Sequence, residues 1–333
     1  MEMKVVIVGA GISGLTAAAY MHQLGHEVEV FETREQLGGN CADRSVEDQT
    51  RLHIYGPHIL HTSCEKVWDF LGQFTVFNDY EHRVLADTAL GRIPIPFNRV
   101  SEAKVGKLTD DEVRDLLFVD YSEKMWGRPW DMLPDVIKCR VPKRRDNRDC
   151  RYFTDPHQGM PMAGFEEMFN RMADGCTLHL NAGLHCWRSA SYDLLIYTGL
   201  VDEFYNFTHG RLRYKTLDIV TRQKTPGEEF QAAVINQCNR NTYTRKADHS
   251  YWHSADGYKS LGLVTLEHPR DWEGGGDIPY YPIPFGADQE MADKYATLNN
   301  KGDIVFLGRL ATYKYLNIDM AVLQALESLE QFA

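Results

Sequence analysis

The chain opens on Val5-Val-Ile-Val8, turns through Gly9-Ala-Gly11-Ile-Ser13-Gly14 and continues as Leu15-Thr-Ala-Ala-Ala-Tyr20. Four consecutive β-branched residues predict a strand buried on both faces of a parallel sheet. The alanines after the glycines predict a helix packed directly on that strand. In this reading Gly9 makes the tight turn, Gly11 lets a pyrophosphate reach the backbone, and Gly14 lets helix and strand close up. Free N–H groups and the macrodipole at the start of the helix, around Ser13, favour an anion there. A second run, Glu27-Val-Glu-Val-Phe31, leads into Glu32, about twenty residues on, where a carboxylate can accept both hydroxyls of an adenosine ribose. The whole unit predicts dinucleotide binding.

Glu32 is followed by Thr33-Arg-Glu-Gln-Leu37-Gly38-Gly39-Asn40. This extension resembles that of the two-dinucleotide-binding flavoproteins, where it lies along an extended FAD. Simple NAD dehydrogenases usually lack it, and an ordinary turn is the plain alternative. The resemblance implies cofactor contacts from Thr33, Gly38, Gly39 and Asn40.

At 333 residues, 43% hydrophobic and 25% charged, the chain has the make-up of a globular protein with two or three structural units. A formal net charge of -11 argues against general nucleic-acid affinity. No apolar run reaches the length of a membrane span and the first strand begins at once, so the expectation is a cytoplasmic protein without membrane attachment. The seven cysteines form no CxxC pair, which points to reduced thiols rather than a zinc site or disulfide framework.

Further along, Tyr55-Gly-Pro-His58-Ile-Leu-His61-Thr62 places two histidines three apart, both able to face one cleft; as metal ligands they would need a third partner. Helices are predicted over 65–74, 110–117 and 164–172, and strands near a sheet edge over 77–97, with Ile93-Pro-Ile-Pro-Phe97. A basic stretch runs from Lys138 through Arg140, Lys143, Arg144, Arg145 and Arg148 to Arg151, diluted by Asp146 and Asp149. In an acidic chain with a dinucleotide unit, it points to a small phosphate-bearing substrate. The run 192–199 reads as a strand returning to the first sheet. Segments 214–220, 232–236 and 261–267 read as a separate antiparallel sheet. Ile304-Val-Phe-Leu307 reads as a last buried strand, followed by a helix with Met320, Leu323, Leu326 and Leu329.

Six motifs in order resemble the UDP-galactopyranose mutase family: Tyr55–Thr62, Tyr121-Ser-Glu-Lys-Met-Trp-Gly127, Tyr152-Phe153 with Gln158-Gly159, Tyr243-Thr-Arg245, Pro279-Tyr-Tyr-Pro282, and Gly308-Arg-Leu-Ala-Thr-Tyr-Lys-Tyr-Leu-Asn317. The resemblance implies an isomerase that uses reduced FAD to interconvert pyranose and furanose forms of a UDP-sugar, the flavin N5 acting as nucleophile at the anomeric carbon. An external reductant such as NAD(P)H would keep the flavin reduced. Arg140 and Arg245 would hold the diphosphate. Tyr281 and Tyr315 would be tyrosine ligands, Ser122, Trp126 and Tyr152 uridine-side contacts, and Asn236 a polar contact. Arg309, Leu316, Asn317 and Met320 would touch the flavin, with His58, Ile59 and His61 in the segment beneath it and the two histidines in the catalytic set. His82 and Lys215 stand where the family usually shows asparagine and arginine, and leave the sugar open.

The implied fold is α/β: a Rossmann-like FAD-binding domain (1–76, 160–206 and 300–333), an antiparallel substrate sheet (77–98, 135–159 and 207–299) and a reduced helical domain (99–134). The shortened helical part leaves the oligomeric state open. An FAD-dependent amine oxidase or desaturase is the competing reading, since it shares the N-terminal unit, but it has no use for Arg140, Arg245 and the tyrosine pairs.

Overall fold

The computed structural model describes residues 1–46, 50–138, 144–253, 262–299 and 302–333. Its first layer is a five-stranded, wholly parallel sheet in the order Ile304–Phe306, Leu194–Tyr197, Lys4–Val8, Glu27–Phe31 and Thr177–His179. The central position of Lys4–Val8 explains its β-branched run. Val5 and Ile7 pack into the main core on one face, while Val6 joins Trp187, Leu195, Tyr197 and Ala311 on the other. Helix Ile12–Gln23 lies on the sheet through Leu15, Ala17, Ala18 and Met21, and against it packs the C-terminal helix Ile318–Leu329 through Val322, Ala325, Leu326 and Leu329. Alanines at the crossing keep the two helices close.

The second layer is a seven-stranded sheet ordered Tyr281–Pro282, Tyr214–Gln223, Leu263–Asp271, Arg245–Asp248, Val234–Gln237, Val84–Thr88 and Gly91–Ile95. The sheet is mixed rather than antiparallel throughout, because Val234–Gln237 runs parallel to Val84–Thr88. A hairpin forces antiparallel pairing, but between these strands the chain makes a long excursion through the helices and the first sheet, so either sense is open. Pro94 sits on the edge strand, as expected of a residue that cannot donate to a ladder. The strand expected over 261–267 is Leu263–Asp271, with Leu261 outside the described residues. Strand Thr177–His179 and helix Gly286–Ala296 carry no clear periodic signal and escaped the sequence reading.

Two short strand pairs, Asp43–Ser45 with Arg51–His53 and Leu60–Thr62 with His157–Gly159, bridge the layers. One hydrophobic core runs from Val5 and Leu15 through Phe70 and Phe165 to Val84, Phe97, Val234 and Trp252. Helices Arg99–Val105 and Asp110–Trp126 flank the second sheet. The latter contains a π-helical turn at Asp115–Val119, immediately before the segment that reaches the site described next. Among the described residues no helix is long and apolar enough to cross a membrane.

Candidate active site

A cavity of about 800 Å³ runs along the carboxyl ends of the parallel strands. Gly9, Gly11, Ser13, Glu32, Thr33, Gly38, Gly39, Asn40, His58, Arg309, Leu316 and Asn317 all line it. Gly14, Ile59 and Met320 do not. Gly14 lies behind the turn, Ile59 packs on the core and Met320 is exposed on its helix. At one end the buried Glu32 carboxylate accepts from the Ala10 N–H at 2.7 Å and the Arg34 N–H at 2.8 Å, which orients it and holds it in place. The second glycine pair butts against the first: Gly38 N–H donates to the Ala10 carbonyl at 2.8 Å, and a Cβ on Gly39 would come within 2.9 Å of Gly11 Cα. Backbone N–H groups at the helix start, with no side-chain cap, therefore meet a narrow glycine-walled channel. Arg34, which the motif reading passed over, lines the same channel. Its Nη2 donates to Asn40 at 2.9 Å and its Nη1 is buried without a partner among the described residues. A cradle of free N–H groups and an orphaned guanidinium donor fits a pyrophosphate, and Glu32 fits its ribose.

Beyond the His58 and Arg309 end lies a polar cluster built from distant strands. Arg245 starts a strand of the second sheet; its Nη2 donates to the Tyr121 hydroxyl at 3.2 Å, its Nη1 stands 3.6 Å from Glu267, and its Nε is buried without a partner among the described residues. Burial opposes the charge on Arg245, but Glu267, Tyr121 and Tyr281 around it hold it protonated, above its ordinary value. Burial pushes the Glu267 carboxyl up, with Arg245 pulling the other way. Tyr281 and Tyr315 stack at 5.5 Å, and the Arg309 guanidinium lies over both rings at 5.3 and 4.8 Å. Arg309 is itself fixed by donating to the Leu316 carbonyl at 2.6 Å. His82 is close enough to feel Arg245 and makes an edge contact with Tyr152. Asn236 sits across the hairpin from Arg245.

Other expected residues fall elsewhere. His61 does not share the His58 cleft: its Nδ1 pairs with Asp155 at 2.9 Å and its ring stacks on Phe153. Trp126 is buried among Leu133, Ile137 and Phe285, with Ser122 buried on the same helix. Lys215 is buried, paired with Asp271 at 2.6 Å, and points at Gly127, where that helix ends. Arg140 lies outside the described residues. Glu267 and Tyr121 were not singled out beforehand. The available signal for Glu267 was a carboxylate directly after the mostly apolar run Leu263-Val-Thr-Leu266.

Residues 116–315 match the family model for UDP-galactopyranose mutase, and residues 7–74 that for an NAD(P)-binding Rossmann-like domain. A Klebsiella pneumoniae protein described as a probable UDP-galactopyranose mutase is 32% identical over 374 positions, covering 99% of this chain and 94% of its own. The chain belongs to the UDP-galactopyranose mutase family. It is thus an isomerase of the nucleotide-sugar mutases, a group that includes a dTDP-fucopyranose mutase of Escherichia coli, 28% identical over 97% of both chains. A solved structure of reduced UDP-galactopyranose mutase superposes with a TM-score of 0.77 at 15% identity, covering 99% of this chain and 95% of that one, which speaks for the fold alone.

Desolvation disfavours the charged form of His58 on the cavity wall and of the buried His53, His82 and His249. Burial pushes His58 and His249 down to about 4, His82 to about 3, and His53 well below its ordinary value. His53 Nδ1 accepts from the His58 N–H, and His249 Nδ1 from the His53 N–H and the Trp252 indole. An unfolded histidine takes up its proton near pH 6.5, whereas His58, His82 and His249 do not until the pH is about 4 or lower. The unfolded chain therefore binds more protons across that window, and stability held above about pH 6.5 is lost as the pH falls. The urea midpoint should drop steeply between pH 6.5 and 4; a flat midpoint over that range would show that these rings are not buried neutral.

Proposed function

We propose that this chain binds FAD and, with the flavin reduced, interconverts the pyranose and furanose forms of a UDP-sugar such as UDP-galactose, UDP-N-acetylgalactosamine or UDP-arabinose. The observation that carries the reading is the half-buried Arg245 guanidinium, held by Tyr121 and the buried Glu267 beside the far end of the cavity. A bound, reduced flavin would supply the nucleophile for the anomeric carbon. The protein's own part is positioning and charge. Glu32, Arg34 and the glycines at 9, 11, 38 and 39 hold the dinucleotide, with Leu316, Asn317 and the turn at His58 at its other end. Arg245, already fixed by Tyr121, presents a planar fork to the diphosphate and gains most when the departing UDP takes on charge. Tyr281 and Tyr315, kept parallel under Arg309, wall the sugar side. The neutral His58 ring adds no competing positive charge near the leaving group.

Purified protein should be yellow and release FAD, not FMN or NAD, on denaturation. Dithionite-reduced protein should then equilibrate one UDP-sugar of a panel between ring sizes, with dTDP-fucose included, as resolved by chromatography and without stoichiometric consumption of reductant. A colourless protein that takes up NAD but no FAD would refute the cofactor assignment. Stoichiometric hydrogen peroxide with turnover would favour an oxidase.

A further inference from the structure

Lys124 lies three residues after Tyr121, on the same face of helix Asp120–Trp126. Tyr121 reaches the Arg245 side chain and Lys124 reaches the backbone that carries it. The Lys124 Nζ donates to the carbonyls of Gln237 at 2.7 Å, Asn239 at 2.7 Å and Tyr243 at 3.1 Å. Gln237 ends one strand of the hairpin, and Tyr243 stands two residues before Arg245, which begins the other. Three ammonium protons meet three carbonyls, so the cation uses all of its donors on one turn. The same turn is closed by Gln237 N–H to the Thr244 carbonyl at 2.8 Å, and tied to the neighbouring strand by Thr244 N–H to the Glu267 carbonyl at 2.9 Å. The π-helical turn at Asp115–Val119 ends just before this segment.

We infer that Lys124 is a positioning residue for Arg245: by clamping the 237–243 turn to the helix that carries Tyr121, it makes guanidinium and helix a single rigid unit. Charge-assisted bonds to three carbonyls are stronger than any neutral side chain would make. Without them the hairpin can shift while the flavin end of the cavity stays as it is. The inference rests on the reading of Arg245 as a diphosphate ligand, and its test separates the two.

The probe is UDP, titrated calorimetrically into flavin-loaded wild type, K124M, K124R, R245A and K124M/R245A. K124M should weaken UDP about tenfold, and K124R, which keeps donors for the carbonyls, should recover to within about threefold of wild type. In the R245A background K124M should add less than about twofold, because the two changes act through one group. Bound FAD and its absorbance spectrum should stay at the wild-type level in all four variants. Should K124M not accumulate folded, K124Q takes its place in the same cycle. Equal weakening by K124M with and without Arg245, or none at all, overturns the positioning role while leaving the substrate site standing. Wild type that does not bind UDP, or R245A that binds it as tightly as wild type, overturns the substrate-site reading and this inference with it.

Discussion

Arg245→Ala should lower mutase turnover by about a hundred- to a thousandfold, the range seen when a single fixed donor to developing negative charge is removed. FAD content and flavin reduction should barely change, since Arg245 does not line the dinucleotide cavity. The size of the effect follows from the fixed partners of a half-buried guanidinium. Tyr121 at 3.2 Å and Glu267 at 3.6 Å hold the fork in place before substrate arrives, so little reorganisation opposes its stabilising of a leaving diphosphate. Part of the loss should fall on kcat and part on KM, because charge grows on the departing UDP as the glycosidic bond breaks. Arg245→Lys should recover only a fraction, for an ammonium cannot serve Tyr121, Glu267 and a phosphate with one planar group. The folded state should survive, since burial already pushes the Glu267 carboxyl up and it can take a proton once its counter-charge is gone. Near-normal turnover of the best UDP-sugar by Arg245→Ala would mean that the substrate site has been placed wrongly.

Gly14→Val should yield protein largely without FAD and destabilised by about 3 kcal/mol, the upper end of overpacking costs. A Cβ at position 14 would lie 1.9 Å from the Gly9 carbonyl oxygen and 3.1 Å from its carbon, and both are backbone atoms of the turn that must hold the pyrophosphate. No rotamer change relieves that clash. The helix start has to move off the first strand, taking the free N–H groups with it. Gly72→Ala is the matched control: that glycine is helical, exposed and meets nothing within 4 Å, so the change should keep the flavin and leave stability unchanged or raise it by up to about 1 kcal/mol. FAD content by absorbance and urea midpoints for both variants decide the matter. A Gly14→Val protein that keeps its flavin would show that the turn is looser than its contacts imply.

Much of the fold could be read before the structure, and the reason lies in how local the information is. The strand at Lys4–Val8, its glycine turn, the helix and Glu32 satisfy one another within some thirty residues, as the Ala10 N–H to Glu32 bond illustrates. The returning strand Leu194–Tyr197 declared itself by its apolar run Leu-Leu-Ile-Tyr, and all four residues are buried. Misreadings came where local pattern carries little. Thr177–His179 is too short and too exposed to alternate visibly, and helix Gly286–Ala296 has only a weak apolar stripe. His58 and His61, equally spaced in the motif, diverge because His61 belongs to a strand paired with His157–Gly159 and is drawn to Asp155, 94 residues away.

The dinucleotide cradle and, through six ordered motifs, the family were legible in the amino-acid order, because both depend on residue types at fixed short spacings. What surrounds Arg245 emerged only from the folded chain. Tyr121 lies 124 residues before it and Glu267 lies 22 after it on the next strand but is not announced by any spacing. Only the register of Arg245 opposite Glu267, and the docking of helix Asp120–Trp126 across the hairpin by Lys124, bring those groups to one point. A buried charge is tolerable only where its partners converge, and convergence is a property of strand register and helix docking rather than of neighbouring residues along the chain.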